Sequence, residues 1–318
     1  MFDSLWLWVV FNAILAGLLF FDLVVLMRRD HVVGMREAAW LTVFWTVVGI
    51  APVAYIITAG DGNAGVTYLT AYVAERALSL DNLFVFIIIF GYFGVPARYQ
   101  PRGLLWGIVM ALLARAVFIA AGVAVINAAS WVLFILGAFL VYTAYKLAFT
   151  GDQEVDPSQN IVLRLYRRVA PVSSEYDGHR FFTRLGGKRV ATPMLLLVLV
   201  LGTTDVVFAV DSIPTVFGIT TDAFLVWSSN AMAVLGMRPL FFLLAGMVKL
   251  FRFLQYGLAG ILGFIGVKMI VEEAFHDFHV ISENTDIFVS LGVILVLLAG
   301  SVALSLLLPE KRSDADAG

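Results

Sequence analysis

Cysteine is missing from this chain of 318 residues, and charged residues make up only 14% of it. Without cysteine the chain has no disulfides, no thiolate metal ligands and no thiol redox chemistry, so a metal site must use oxygen donors and a few imidazoles. The hydrophobic content of 61% and the mean hydropathy of +0.94 exclude an ordinary soluble domain. The composition is that of a polytopic membrane protein.

Apolar runs long enough to cross a bilayer recur along the whole chain. They predict nine helical spans, near residues 5–27, 39–59, 68–93, 104–126, 131–149, 193–217, 222–247, 254–272 and 287–308. The first run has no basic leader and is too long for the apolar part of a signal peptide, so we interpret it as a retained helix. The predicted fold class is therefore all-α, with about nine transmembrane helices.

Lysine and arginine predict the orientation of these spans, because cytoplasmic loops carry an excess of both residues. Sixteen of the 21 fall in the loops 28–38, 94–103, 150–192 and 248–253 and in the tail from residue 309. The alternate loops and the N-terminal segment hold none. We therefore expect the N-terminus outside the cell and the C-terminus in the cytoplasm.

Two similar stretches place acids inside predicted spans, where an ionised carboxylate is costly. One reads ERALSLDNLFVF from Glu75, and the other reads DVVFAVDSIPTVF from Asp205. They align at an offset of 130 residues, with two acids six residues apart in each. We predict that they are the two halves of one cation site, whose ligands are Glu75, Asp81, Asn82, Asp205, Asp211 and Ser212.

Basic residues extend this internal symmetry. Arg115 corresponds to Arg238 and Lys146 to Lys268, at offsets of 123 and 122 residues. Because each unit has three spans, the second must run through the membrane in the opposite direction, as in the inverted repeats of secondary transporters. The predicted organisation is two peripheral helices (1–64), a first three-helix repeat (65–150), a cytoplasmic loop (151–192), a second repeat (193–272), and an external loop, last helix and tail (273–318).

The spacing of the acids leaves two alternatives for their geometry. Residues six apart differ by roughly 240° around a helix axis, so Glu75 and Asp81 do not share a face of an unbroken helix. Either each helix is interrupted between its acids, or the acids face different neighbours. Pro214 favours an interruption in the second stretch, because it lacks an N–H and frees the carbonyl of Val210.

Neighbouring charges offer partners for some of the acids. Arg76 could pair with Glu75. Asp22 could pair with Arg28 or Arg29 at the cytoplasmic end of the first span, and the alternative for Asp22 is a place on the path of the ion. The residues expected to support the site are Asp22, Arg115, Asn230 and Arg238.

The donor types predict the kind of ion. Carboxylates, amides, hydroxyls and carbonyls are hard oxygen ligands that suit Mg, Ca or Mn. The four acids exceed Arg115 and Arg238 by two charges, which one divalent cation would neutralise. The sequence Gly186–Lys188 lacks the rest of a phosphate-binding loop. We expect no nucleotide, nucleic acid or resident cofactor, and no enzyme activity.

The cytoplasmic loop has a composition of its own. Its basic residues suit a solvated linker that lies at the anionic leaflet of the membrane. The segment EYDGHRFF, residues 175–182, predicts a turn between short strands. A regulatory or partner-binding role is the alternative.

Six segments spread over nearly the whole chain together resemble the TerC family of integral membrane proteins. They are FDLVVLMRRDH, ERALSLDNLFVF, FGVPARYQ, TTDVVFAVDSIP, SSNAMAVLGMR and YGLAGILGFIGVKM. The resemblance implies efflux of Mn(II) across a bacterial inner membrane, with the acids Glu75, Asp81, Asp205 and Asp211 on the transport path. Arg76, Pro239 and Phe241 depart from residues common in the family, and the acids are intact.

We therefore expect a membrane transporter that exports a divalent cation, Mn(II), by proton-coupled alternating access in a lipid bilayer. One alternative is an exporter of Ca(II) or Mg(II). The other is a non-transporting membrane factor in metal or envelope stress, of the tellurium-resistance type.

Overall fold

Helices, most of them apolar, account for most of the described chain. The computed structural model describes residues 4–22, 32–150, 157–169, 171–173, 175–185, 187–247, 253–274 and 283–307. The helices are α1 (Leu5–Phe21), α2 (Met35–Thr58), α3 (Gly62–Tyr92), α4 (Gln100–Ala128), α5 (Val132–Thr150), α6 (Ile161–Val169), α7 (Pro193–Phe217), α8 (Ala223–Leu235), α9 (Met237–Ala245), α10 (Leu254–Ala274) and α11 (Glu283–Leu307). The strands β1 (Phe182–Leu185) and β2 (Lys188–Ala191) form one antiparallel hairpin. The predicted all-α polytopic membrane class is confirmed.

Each of the nine predicted spans falls on one of these helices, with α8 and α9 together covering one. By length and composition, six helices of the described chain can cross a membrane, and the α8–α9 pair, bent by 43°, makes a seventh. Helix α1 has only 17 residues, and α3 carries three charged residues, Glu75, Arg76 and Asp81. The count of nine spans stays a prediction.

Helix α3 lies at the centre of the bundle. More than half of its 31 residues are buried, and they include Glu75. It packs against α2, α7 and α8, while α4 packs against α7, and α5 against α10. A two-fold relation between α3–α5 and the helices α7, α8 and α10 would produce this pairing. The inverted repeat itself stays a prediction.

Both acid-bearing helices, α3 and α7, are continuous through their acids. Pro214 lies inside α7, near its C-terminal end, and the helix continues to Phe217. The interruption predicted from Pro214 is therefore wrong. Burial of every residue from Ser212 to Phe217 holds this last turn in place although the proline removes one of its hydrogen bonds. The acids of each helix consequently face different neighbours.

The segment between α5 and α7 packs against the bundle where the structure describes it. Leu163 of α6 is buried in the main core, and the Asn160 amide donates to the Thr203 hydroxyl on α7 at 3.1 Å. The Tyr176 hydroxyl donates to the Phe93 carbonyl at 2.8 Å. Burial raises the pKa of Tyr176 to about 12, so this donor keeps its proton at neutral pH. The interpretation as a solvated linker is wrong for these residues, because their apolar and polar groups have partners on the bundle.

The turn predicted from EYDGHRFF is present, but it does not join two strands. The Arg180 amide donates to the Asp177 carbonyl at 3.1 Å across Gly178, whose φ is +57°. Strand β1 follows this turn and pairs instead with β2, across a second turn at Gly187, where φ is +80°. Positive φ favours glycine in both turns. The prediction identified the first turn and missed the second.

Two glycines allow α5 and α10 to cross closely. A Cβ atom built on Gly266 would lie 2.7 Å from the carbonyl oxygen of Gly137, and one built on Gly137 would lie 2.9 Å from the carbonyl oxygen of Gly266. Small residues at such crossings let helix backbones pack in a membrane, where no hydrophobic effect drives association.

We expect Gly266→Val to lower the unfolding temperature of the detergent-purified protein, because its branched side chain must displace the backbone of α5. The expected loss is about 1–3 kcal/mol, as for other overpacked sites. Gly292→Val on α11 is the matched control, since nothing lies within 4 Å of an added Cβ there. Equal unfolding temperatures for Gly266→Val and Gly292→Val would contradict this packing.

Candidate ion-binding site

A fully buried guanidinium joins four helices, α3, α4, α7 and α8, at the centre of the bundle. Arg115 on α4 donates from Nε to Asp205 Oδ2 at 3.0 Å and from Nη2 to Asp205 Oδ1 at 3.2 Å. Its Nη1 pairs with Glu75 Oε1 and donates to Asn230 Oδ1 at 3.3 Å. All four side chains have 0% exposure. We call this set, Glu75, Arg115, Asp205 and Asn230, the arginine cluster.

The arginine cluster depends on the fork geometry of the guanidinium. Asp205 accepts two parallel bonds, which is the strong bidentate arrangement of an arginine and a carboxylate. Ionised, the two acids and one arginine leave a net charge of −1. Three buried atoms, Glu75 Oε2, Ser79 Oγ and Asn230 Nδ2, have no hydrogen-bond partner among the described residues. Glu75 Oε2 is the free carboxylate oxygen among them, so the cluster keeps capacity to accept a proton or a further hydrogen bond.

The other two acids of the predicted site line a separate cavity. A space of 480 Å³ lies between α3, α5, α7 and α10. Its polar lining residues are Asp81, Asn82, Thr143, Lys146, Asp211 and Ser212, and the remainder of its wall is mostly apolar. We call this space the acidic cavity.

Hydroxyl and amide groups accompany the carboxylates of the acidic cavity. The Thr143 hydroxyl donates to Asp211 Oδ1 at 3.3 Å. Asn82 Nδ2 and Ser212 Oγ are buried and have no hydrogen-bond partner in the described part of the chain. Buried polar groups without partners are costly, so they point to a ligand or water in this space.

The sequence predicted one site of four acids, and the structure divides these acids between two places. Glu75 and Asp205 contact Arg115, whereas Asp81 and Asp211 line the acidic cavity. The rotation of roughly 240° over six helical residues is the cause. Asn82 and Ser212 line the cavity with Asp81 and Asp211. The prediction of a single site of four acids is therefore corrected to two separate groups of two acids.

The supporting residues fall in different parts of the molecule. Arg115 and Asn230 belong to the arginine cluster, as expected for neighbours of the acids. Arg238 instead forms a second buried ion pair, with Asp22 at the C-terminal end of α1. Arg28 and Arg29, the predicted partners of Asp22, lie outside the described residues.

The predicted pair of Glu75 with Arg76 is wrong. Arg76 Nη1 donates to the Ala233 carbonyl at 2.7 Å instead. Adjacent helical residues point about 100° apart, which sends the two side chains to different neighbours.

Sequence reasoning missed Thr143 and the place of Lys146 in the cavity. The two residues lie three apart on α5, and therefore on one face of it, in an otherwise apolar span. That spacing was the available signal.

Within the described ranges, no three carboxylate or imidazole side chains come together as a metal site. Hard divalent cations take six or more oxygen ligands and accept amide, hydroxyl and water oxygens beside carboxylates. Two carboxylates with neighbouring amide and hydroxyl groups supply some of the oxygen ligands that such an ion takes.

Long apolar helices enclosing charged and polar side chains define a polytopic integral membrane protein. A model of the integral membrane protein TerC family matches residues 60–313, and the chain belongs to this family. No solved structure matches the chain.

Three relatives illustrate the range of the family. An uncharacterized membrane protein of Myxococcus xanthus is 40% identical over 313 residues, which are 98% of this chain and 96% of that protein. A protein of Escherichia coli K12 named as a membrane-bound redox modulator, Alx, is 36% identical over 301 residues, 92% of this chain and 91% of its own. The thylakoid membrane protein TERC of Arabidopsis thaliana is 42% identical over 255 residues, 80% of this chain and 64% of its own.

We expect Arg115→Gln to destabilise the folded protein by about 3–5 kcal/mol, because it leaves two carboxylates buried without a counter-charge. Thermal unfolding in detergent measures the loss. Arg180→Gln is the control, since Arg180 and Asp177 form an exposed pair at 3.6 Å that contributes about 0–1 kcal/mol.

Neutralising the acids as well should restore part of this stability. The triple variant Glu75→Gln, Arg115→Gln, Asp205→Asn tests this, because removing a whole buried ion network is less costly than removing one member of it. An Arg115→Gln protein that unfolds at the wild-type temperature would contradict the central role of the cluster.

Proposed function

We propose that this chain is a membrane transporter that exports a divalent metal cation, with Mn(II) as the cargo. The observation that carries the proposal is the acidic cavity, in which Asp81 and Asp211 face one space among transmembrane helices. Ionisable residues inside membrane helices are rare and costly, and they mark ion pathways and proton relays in pumps and transporters.

The chemistry of the cavity favours a hard cation. Asp81 and Asp211 supply carboxylates, and Asn82, Thr143 and Ser212 supply amide and hydroxyl groups. Such oxygen donors suit Mn, Mg and Ca, and the chain has no cysteine to select softer metals. The resemblance of the acid-bearing motifs to those of the family favours Mn(II) among the three.

The arginine cluster suggests how the two repeats work together. Arg115 and Glu75 belong to the first predicted repeat, and Asp205 and Asn230 belong to the second. Exchanging these ion pairs would let the repeats rock against each other, which is the motion of alternating access. We place the cluster at the contact that breaks and re-forms during transport.

Export against the membrane potential needs an energy source. Moving two charges outward against about 150 mV costs roughly 7 kcal/mol, at about 2.3 kcal/mol per charge per 100 mV. The return of two protons on the same carboxylates would make the exchange electroneutral and leave the pH gradient to drive it. The proposed setting is the inner membrane of a bacterium, with the N-terminus outside.

A second candidate is a non-transporting membrane factor, which the name of one relative favours. That relative is named as a membrane-bound redox modulator. This chain has no cysteine, so it cannot itself carry out thiol–disulfide exchange. A redox effect would then follow from metal content, or from other proteins.

Uptake of Mn(II) into inverted membrane vesicles separates these candidates. With an imposed pH gradient, we expect Asp81→Asn and Asp211→Asn each to lower the rate at least tenfold, because each removes one carboxylate ligand. Asp177→Asn is the matched control, an identical change in an exposed cytoplasmic turn.

Competition by Ca(II) and Mg(II) in the same vesicles tests the choice of ion. Transport at the wild-type rate by both cavity variants would remove the acidic cavity as the transport site. Uptake by wild-type vesicles that does not exceed uptake by vesicles without the protein would remove the exporter hypothesis and leave the non-transporting factor.

A further inference from the structure

A lysine stands at the acidic cavity beside the two carboxylates. Lys146 on α5 lines the cavity together with Asp81 and Asp211. Its side chain is exposed, and its positive charge lies beside the carboxylate of Asp211 in the same cavity. Thr143, one turn earlier on α5, donates to the same carboxylate. One face of α5 therefore presents both a hydrogen-bond donor and a cation to Asp211.

The corresponding lysine of the second predicted repeat is engaged elsewhere. Lys268 Nζ lies 2.6 Å from Asp286 and 3.6 Å from Glu272, and 3.3 Å from Ser290 Oγ. These contacts join α10 to α11. They pair the charge of Lys268 with acids that do not line the cavity. Lys146 is thus the lysine of the two that acts on an acid of the proposed site.

The charges of the cavity set a competition. When ionised, Asp81 and Asp211 carry −2, and Lys146 reduces the total to −1. A divalent cation entering beside Lys146 would leave the space with a charge of +1. The ion and the ammonium group therefore compete for the same carboxylates, and the exposed lysine can turn toward water when the ion binds.

We propose that Lys146 is a tethered competitor cation, which weakens the binding of the divalent ion and compensates the carboxylates after it leaves. This inference rests on the proposed function and assigns a residue that tunes it. A transport site must bind well enough to load and weakly enough to release. Lys146 favours release of the ion and still permits loading, since its exposed side chain can move away from the carboxylates.

The alternative role for Lys146 is that of an interfacial anchor. A long basic side chain near a helix end often extends its charge to the lipid headgroups while its stem packs on apolar surface. An anchor of this kind would leave the affinity of the cavity unchanged, so ion binding distinguishes the two roles.

Direct titration of Mn(II) on the detergent-purified full chain tests the proposal, with free Mn(II) followed by electron paramagnetic resonance. We expect Lys146→Gln to bind Mn(II) about tenfold more tightly than wild type, the size of effect given by a partly screened charge in the same cavity. Lys146→Met carries the same expectation, and Lys146→Arg should stay near wild type because it keeps the charge. Lys268→Gln is the matched control and should also bind as wild type does.

Transport in vesicles supplies a second readout. Lys146→Gln should reach half-saturation at a lower Mn(II) concentration and show a lower maximal rate, because release becomes slower. A merely structural lysine would not shift these two quantities in this combination.

The outcomes separate this inference from the proposed function. Wild-type binding of Mn(II) that is lost in Asp211→Asn but unchanged in Lys146→Gln and Lys146→Met would overturn the role of Lys146 alone. A wild-type chain that does not bind Mn(II), or an Asp211→Asn chain that binds it equally well, would overturn the proposed site and the role of Lys146 with it.

Discussion

The guanidinium of Arg115 is the interaction on which the rest of the bundle depends. It is fully buried and bonds to side chains from three other helices, Glu75 on α3, Asp205 on α7 and Asn230 on α8. Without it, two carboxylates would face each other in an apolar interior, where an uncompensated charge costs several kcal/mol. A single residue of α4 thereby fixes the position of both acid-bearing helices.

The continuity of α3 and α7 determines what the remaining acids can do. Because neither helix is broken at its acids, Asp81 and Asp211 point away from Arg115 and line the acidic cavity. The molecule thus carries a locked set of charges at its centre and a more open set beside it. In the proposed mechanism the acidic cavity receives the ion. The arginine cluster determines how the two predicted repeats are positioned relative to each other.

Much of this arrangement could be predicted from the sequence, and the failures have physical causes. Apolar length located the helices, and the rarity of intramembrane acids identified Glu75, Asp81, Asp205 and Asp211. The sequence could not decide whether the helix is interrupted at Pro214 or the acids face different neighbours. The outcome depends on how tightly residues 212–217 pack around Pro214. Internal symmetry predicted equal roles for Arg115 and Arg238, but Arg238 pairs with Asp22. Asp22 lies outside both predicted repeats, so a comparison of the repeats could not identify it as the partner of Arg238.

Anomalous diffraction from crystals grown with Mn(II) would test the central claim most directly. The account predicts a manganese peak in the acidic cavity, coordinated by oxygens of Asp81 and Asp211. A peak found only on the outer surface of the protein, with the cavity holding no metal at saturating Mn(II), would contradict the account.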